Sequence, residues 1–321
     1  MKIGSLQLDN NIILAPMAGI SDLPYRLIMK RFGAGLVFTE MISANGLFFN
    51  GAATRELLQT DAAERPLGIQ LFGESADRLA EAARQVSSGG QLIDINLGCP
   101  VRKVVRSGAG SALLNEPRKV GQILAAVRRA TSLPLTVKLR SGWDRNRLNY
   151  LEIARIAVDE GVDAITLHPR SRCQGFSGKA DREHIRQLKA SVPVPVIGSG
   201  DILTAGDIKT MFTETACDAV MIGRGGYGNP WLIRQGLAVM AGQAVRAPEA
   251  EERYRVASEH LDLFEATFGP RKTLGHMRKH LCWYVRGLEN SATFRSRINS
   301  VRSVAEMRAT LESFFMDAAE Q

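Results

Sequence analysis

The chain has 321 residues, which exceeds one average domain and fits a large α/β barrel of about 250 residues with an appendage. Hydrophobic residues account for 45% of it and charged residues for 23%, proportions that exclude a low-complexity or disordered chain. The formal net charge is +8, which is compatible with a polyanionic partner. No stretch has the length of a membrane span or the layout of a signal peptide, so we expect a cytoplasmic protein that does not enter a membrane.

Short β-rich runs alternate with amphipathic helical patterns along the first three quarters of the chain. The runs cover residues 12–16, 36–39, 67–71, 92–96, 135–139, 164–168, 194–199 and 219–223. Eight such βα units predict an α/β fold of the (β/α)8 type, a TIM barrel. We expect this barrel to occupy residues 1–242.

The remaining residues, 243–321, contain no predicted strand. Helical patterns cover residues 254–268, 273–286, 294–298 and 301–315. They predict a small C-terminal helical domain. Residues 271–302 carry eight basic side chains and one acid, Glu289, with His276, His280, Trp283 and Tyr284 among them. A solvated helix face with Trp283 in the core is by itself the commoner explanation of such a charge run, whereas beside a catalytic barrel the run also suits contact with RNA phosphates.

Polar side chains occupy one parity of the predicted strands, and apolar side chains occupy the other. Alternate strand residues of a barrel point into its lumen, so the polar set should face inward. Active sites of this fold lie at the carboxyl ends of the strands, where several of these residues fall. The polar set is Gln70, Asp94, Asn96, Lys138, Arg140, Thr166 and His168.

Two glycine-rich loops follow the seventh and eighth predicted strands, GSGD at residues 198–201 and GRGG at residues 223–226. Glycine lets backbone N–H groups approach an anion, and barrels often bind phosphate at these two loops. Glycine also merely makes turns, so each loop alone is weak evidence, whereas the pair predicts a phosphate-bearing ligand. No GxGxxG motif follows a strand, and a Rossmann dinucleotide site is therefore not indicated.

Three single residues near the strand ends each allow two interpretations. Cys99 is either a small apolar filler or a chemical group whose pKa is tuned by the basic residues that follow it. Lys138 requires an anion nearby, which is a ligand or the carboxylate of Asp94. His168 is either a satisfied core histidine or a ligand contact. The four cysteines have no paired spacing, so we expect neither a disulfide framework nor a metal site.

Three motifs closely resemble hallmarks of the tRNA-dihydrouridine synthase family, and the likeness is greatest to its bacterial B-type branch. They are LAPMAG at residues 14–19, DINLGCP at residues 94–100 and MIGRGG at residues 221–226. The resemblance continues through SGAGSALL and VKLRSGWD and covers essentially the whole chain. Two positions differ from the family pattern: Ser199 stands where asparagine is frequent, and Pro169 where glycine is frequent.

The resemblance implies a bound FMN, reduced by NADPH, that passes a hydride to carbon 6 of uracil in tRNA. Cys99 would then give a proton to carbon 5 as the catalytic acid. Asn96 and His168 would orient flavin or base, and Arg170 would contact the uracil or a nearby phosphate. The residues that the resemblance assigns to FMN are Pro16, Met17, Ala18, Gln70, Lys138, His168, Ser199, Gly200, Asp201, Gly223 and Arg224.

The resemblance also gives the basic side chains a partner, tRNA. Arg102, Lys103 and Arg106 would hold RNA phosphate beside Cys99. In the helical domain the corresponding residues are Arg271, Lys272, Arg278 and Lys279. Two alternatives are a small-molecule FMN oxidoreductase of the dihydroorotate dehydrogenase kind and a noncatalytic RNA-binding protein. The sequence leaves the oligomeric state open and is compatible with a monomer.

Overall fold

The computed structural model describes residues 1–319, a parallel β-barrel wrapped by helices and followed by a bundle of four helices. An antiparallel hairpin of β1 (Lys2–Ile3) and β2 (Leu6–Gln7) precedes the barrel. The barrel strands are β3 (Ile12–Leu14), β4 (Val37–Phe38) with its continuation β5 (Ile42–Ser43), β6 (Leu67–Phe72), β7 (Leu92–Leu97), β8 (Leu135–Gly142), β9 (Ala164–Ser171), β10 (Val196–Ser199) and β11 (Ala219–Ile222).

All neighbouring barrel strands are parallel, in the order β3-β11-β10-β9-β8-β7-β6-β4. The ring closes between its first and last strands, where Ile13 bridges Leu36 and the Leu14 N–H donates to the Leu36 carbonyl at 2.9 Å. Each of the eight predicted runs coincides with one strand of the barrel. The predicted (β/α)8 barrel is therefore confirmed.

Strands β8 and β9 each continue three residues beyond the predicted ends. Arg140 pairs with His168 and Gly142 pairs with Ser171, so β9 has one extra residue in this interval. Such a bulge leaves a residue outside the ladder, which accommodates a proline that has no N–H to donate. Pro169 lies in this bulge, and so it does not interrupt the strand.

Helices follow the strands on the outside of the barrel and then form the C-terminal bundle. The outer helices are α1 (Leu23–Arg31), α2 (Ala44–Phe48), α3 (Ala52–Glu56), α4 (Ala76–Val86), α5 (Arg102–Arg106), α6 (Pro117–Ala130), α7 (Tyr150–Asp159), α8 (Arg182–Ser191), α9 (Ala205–Thr215) and α10 (Trp231–Met240). The bundle comprises α11 (Ala250–Phe268), α12 (Pro270–Tyr284), α13 (Ser291–Ser300) and α14 (Val304–Ala319). Side-chain caps define several starts, since Asp22, Ser75 and Thr204 each accept a hydrogen bond from a backbone N–H in the first turn of α1, α4 and α9.

The bundle has its own hydrophobic core, separate from the core between the barrel and its outer helices. That second core also takes in Ile28 of α1 and Trp231 of α10, so the bundle docks on two barrel helices. The predicted boundary at residues 242/243 falls in the connection between α10 and α11 and stays a prediction.

None of the helices within residues 1–319 combines the length and the apolarity that crossing a membrane requires. All four cysteines are free.

A buried ion pair ties α1 to the segment before β6. Arg26 donates from Nε to Glu64 Oε2 at 2.5 Å and from Nη2 to Glu64 Oε1 at 3.0 Å, and both side chains are at most 1% exposed. We expect Arg26→Met to lower the free energy of unfolding by about 3–5 kcal/mol, because it leaves the Glu64 carboxylate buried without its cation. Urea unfolding measures this. The double variant Arg26→Met/Glu64→Leu should recover much of the loss, and equal destabilisation of both variants would contradict the explanation.

Candidate active site at the carboxyl end of the barrel

A cavity of about 290 Å³ opens at the carboxyl ends of the barrel strands. It brings together residues from the loops after β3, β7, β10 and β11 and from β8 and β9. Most of the predicted site residues line it: Pro16, Met17, Ala18, Asn96, Cys99, Lys138, His168, Ser199, Gly200, Asp201, Gly223 and Arg224.

A hydrogen-bonded ladder of polar side chains lies below the cavity, inside the barrel. Gln70 donates to Asp94 at 2.7 Å and accepts from Asn96 at 2.8 Å, while Thr136 donates to Asp94 at 2.6 Å. The predicted inward parity of these residues is thus observed. Gln70 is fully buried and both of its polar atoms are used within the ladder, so it supports Asn96 and does not line the cavity.

Asn96 shapes the loop that carries Cys99. Its side-chain oxygen accepts from the Gly98 N–H at 3.1 Å and from the Cys99 N–H at 2.9 Å. On the other side, Ser111 donates from its hydroxyl and its N–H to the Cys99 carbonyl, at 2.8 and 3.1 Å. Burial raises the pKa of the Cys99 thiol, which therefore keeps its proton at neutral pH.

Gly110 permits this arrangement, a role that the SGAGSALL motif did not by itself reveal. Its φ is +61°, and a Cβ there would lie 2.9 Å from Val104 Cγ1, 3.0 Å from the Cys99 carbonyl oxygen and 3.1 Å from the Cys99 Cβ. Gly175 has a similar φ of +58°, but a Cβ on it would have no neighbouring atom within 4 Å. Alanine at position 175 would therefore cost only the strain of the left-handed backbone conformation.

We expect Gly110→Ala to destabilise the fold by more than Gly175→Ala, whose cost should be the roughly 1–2 kcal/mol of a left-handed alanine. Gly110→Ala should also change the rate at which iodoacetamide alkylates Cys99, because the added methyl displaces the loop. Urea unfolding and peptide mapping after timed alkylation test both points. Equal unfolding energies and equal alkylation rates for the two variants would show that the contact with Cys99 is unimportant.

Lys138 lies beside Asn96 in the sheet register and faces the cavity. No hydrogen bond or ion pair to Lys138 is found among residues 1–319. Asp94 does not pair with it, since both Asp94 oxygens accept from Gln70 and Thr136. Burial and the neighbouring Arg140 lower the pKa of Lys138 to about 8. An ammonium group without a protein partner therefore faces the cavity, where an anionic or electron-rich ligand would satisfy it.

His168 and Arg170 form a second polar group on β9. Burial and four nearby cations hold the pKa of His168 well below its ordinary value, so its ring is neutral. Arg170 is 2% exposed; its guanidinium binds Asp201 at 2.7 Å, contacts His168 at 3.3 Å and donates to two loop carbonyls. Every nitrogen of Arg170 is therefore engaged, and Arg170 positions Asp201 rather than presenting itself to a substrate.

Both glycine-rich loops line the cavity where the sequence predicts a phosphate cradle, and the cradle stays a prediction. Gly200 and Asp201 have positive φ angles of +108° and +49°. Within the described part of the chain, the backbone N–H groups of Gly200, Asp201 and Arg224 have no acceptor, and all three residues line the cavity. Backbone N–H groups without an acceptor, in glycine-rich loops that line a cavity, fit a phosphate.

Several residues that line the cavity were not predicted, and Arg140 and Phe176 are two of them. Arg140 donates to the carbonyls of Gly98, Ser171 and Gly175, and so fastens the Cys99 loop to the loop after β9. Phe176, in that second loop, is 55% exposed and lies against the guanidinium groups of Arg140 and Arg224, at 5.4 and 4.5 Å. The only sequence signal for either residue was the position of Arg140 in its strand, which predicted a side chain that faces into the barrel.

The predicted phosphate contacts fall into two groups. Arg102, Lys103 and Arg106 are exposed on α5 at the rim, next to Cys99, and no ion pair engages them in the described structure. In the bundle, by contrast, Lys272 pairs with Glu56 of α3, Lys279 binds the Gly19 carbonyl and Arg278 donates to the Val301 carbonyl. Arg271 is exposed.

Solved structures of similar fold are barrel enzymes of low sequence identity. Morphinone reductase aligns with a TM-score of 0.55 at 15% identity over 78% of this chain and 91% of its own. A 2-naphthoyl-CoA reductase aligns with a TM-score of 0.58 at 14% identity, over 76% of this chain and 52% of its own. At these identities the likeness shows the fold alone.

The sequence relatives are far closer, and they extend over the whole chain. The family model described as dihydrouridine synthase (Dus) matches residues 13–320. A tRNA-dihydrouridine synthase B of Pasteurella multocida is 40% identical over 98% of this chain and 96% of its own length, and one of Pseudomonas aeruginosa is 36% identical over 99% and 96%. A probable tRNA-dihydrouridine synthase of Rickettsia conorii is 39% identical over 100% and 98%. The chain therefore belongs to the dihydrouridine synthase family.

Proposed function

We propose that this protein is a tRNA-dihydrouridine synthase that reduces uridines in tRNA to 5,6-dihydrouridine, with FMN bound in the barrel cavity and NADPH as the reductant. The observation that carries the proposal is the combination, in one cavity, of Cys99 with its raised pKa, an unpartnered Lys138 and two glycine-rich loops whose backbone N–H groups have no acceptor in the described structure. Each of the three alone has a simpler explanation, whereas together they match one reaction.

The residues of the cavity fit a flavin mononucleotide. The N–H groups of Gly200, Asp201 and Arg224 would hold its phosphate, with Ser199 and Gly223 beside them, and residues 16–18 would lie against the ring. Lys138 would meet the electron-rich edge of the ring, with neutral His168 as a further hydrogen-bonding group. When bound, the flavin supplies the hydride chemistry by which NADPH reduces the pyrimidine.

Cys99 would act as the general acid that protonates carbon 5 of the base. Its raised pKa keeps the proton in place until the base arrives. The thiolate that remains is stabilised by the positive charges of Arg140 and Lys138, which lower the pKa of this group against the effect of burial. Asn96 holds both backbone N–H groups of the loop and thereby fixes the direction of the thiol.

Exposed basic side chains would hold the RNA backbone while the uridine leaves its stack and enters the cavity. Arg102, Lys103 and Arg106 lie at the rim, and Arg271, Arg297 and Arg302 are exposed on the bundle. A monomer suffices for this arrangement, no metal takes part in it, and the cytoplasm supplies both NADPH and tRNA. The small-molecule oxidoreductase alternative gives these residues no role, and the named relatives do not support it.

An anaerobic experiment tests the proposal. The FMN-loaded protein is reduced with NADPH and mixed with tRNA that lacks dihydrouridine, and the flavin absorbance is followed while the RNA is analysed for dihydrouridine. We expect rapid reoxidation by tRNA with dihydrouridine in the product. Reoxidation by orotate but not by tRNA would support the small-molecule enzyme, and tRNA binding by a protein that takes up no FMN would support the noncatalytic one.

A further inference from the structure

The loop between β3 and α1, residues 15–22, joins the active-site cavity to the C-terminal bundle. Residues 16–18 line the cavity. Gly19 follows with a φ of +71°, and Asp22 then caps α1 by accepting from the Tyr25 N–H at 3.0 Å. Whatever holds Gly19 therefore also sets the position of the residues that line the cavity.

Gly19 is held from two sides. Lys279 of α12 donates from Nζ to the Gly19 carbonyl at 2.5 Å, and His276, one turn earlier, places Nε2 3.0 Å from the same oxygen. From the barrel side, the Glu40 carboxylate accepts from the Gly19 N–H. The carbonyl of Gly19 is thus hydrogen-bonded to the bundle, and its N–H is hydrogen-bonded to the barrel.

The charges around Lys279 fit this role and oppose a role in binding RNA. Its half-buried ammonium is attracted by the carboxyl groups of Asp22 and Glu40, which are 6% and 9% exposed. Burial raises the pKa of both, that of Asp22 to about 7, and one Asp22 oxygen has no hydrogen-bond partner in the described structure. A phosphate brought to Lys279 would face these two carboxyl groups, whose charge Arg26 and the Lys279 ammonium together offset.

We propose that Lys279 is a positioning residue for the flavin site, which from the C-terminal bundle holds Gly19 and thereby residues 16–18 against the flavin ring. The proposal rests on the proposed binding of FMN. It replaces the sequence-based expectation that Lys279 contacts tRNA phosphate. It also gives the bundle a second task, since a barrel without α12 would lose one of the two grips on this loop.

The test compares Lys279→Met with Arg297→Met, because both remove one positive charge from the bundle. Arg297 is exposed on α13 and has no side-chain partner among residues 1–319. We expect Lys279→Met to weaken FMN binding by about tenfold, the size expected for a lost charge-assisted hydrogen bond, and to slow flavin reduction by NADPH in the absence of RNA. We expect Arg297→Met to leave both unchanged and to weaken tRNA binding.

Flavin fluorescence titration, stopped-flow reduction and tRNA filter binding give the three readouts. Lys279→Arg, which keeps a donor, should restore FMN affinity to within about threefold of wild type. If Lys279→Met does not fold by circular dichroism, Lys279→Ala, which also lacks a donor, takes its place. Unchanged FMN affinity with weakened tRNA binding would overturn the proposal. A wild-type protein that binds FMN but forms no dihydrouridine would overturn the proposed function and leave this comparison of FMN affinities intact.

Discussion

A Cys99→Ala variant is expected to form dihydrouridine about 10²–10⁴-fold more slowly than the wild type, while NADPH still reduces its bound flavin at the wild-type rate. The thiol is required only when a proton must reach carbon 5 of the base, so its loss affects the reaction with tRNA alone. Separate anaerobic measurements of flavin reduction and of reoxidation by tRNA test this directly.

The matched control is Cys173→Ala, because Cys173 is an exposed cysteine in the loop after β9. It should retain both rates.

The pH dependence provides a second test. Burial raises the pKa of Cys99, so the proton is present at neutral pH and is lost only as the pH rises through that raised value. The wild-type reoxidation rate should fall over that range, and the variant should lack this fall. Equal reoxidation rates for Cys99→Ala and wild type would show that another group or water donates the proton.

The barrel was predictable because its signal repeats. Each of the eight runs is apolar and β-branched, each is followed by a helical pattern, and parity alone placed Asp94 and Asn96 inside the barrel. The end of β9 was missed because a proline normally marks the end of a strand. Here a bulge absorbs Pro169, and a bulge is determined by the register of the neighbouring strand rather than by the local sequence.

The place of a residue at the cavity was predictable where its backbone position decides that place, and less so where a long side chain does; the roles of these residues stay predictions. Cys99, Gly200 and Arg224 line the cavity because strand ends place them there. Gln70 and Arg170 were expected to contact ligands, but their polar atoms bind other protein groups instead. An arginine or lysine reaches several ångströms from its Cα, so its partner is chosen by tertiary packing. Lys279 illustrates this, since its acceptor lies 260 positions earlier in the chain.

A Lys138→Met variant is expected to combine a stabilised apoprotein with a disabled active site. The Lys138 ammonium has no protein partner within residues 1–319, and its pKa falls from 10.5 to about 8, which means that folding disfavours its charged form. Replacing it with a similarly shaped apolar side chain should raise the free energy of unfolding by about 1–2 kcal/mol at pH 7. Because the protonated lysine is the costly form, the gain should be complete below pH 8 and should vanish as the pH approaches 10.5.

The same substitution should slow flavin reduction by NADPH about 10²-fold, because Lys138 would no longer offset the negative charge that reduction would place on the flavin. Urea unfolding of the apoprotein at pH 7 and pH 10, together with anaerobic stopped-flow reduction, separates the two effects. Lys209→Met, at an exposed position on α9, serves as the control and should change neither quantity. A Lys138→Met apoprotein less stable than wild type would show that Lys138 has a structural partner. A gain in stability together with a loss of reduction would mean that the barrel tolerates an unpaired cation because the flavin, once bound, becomes its partner.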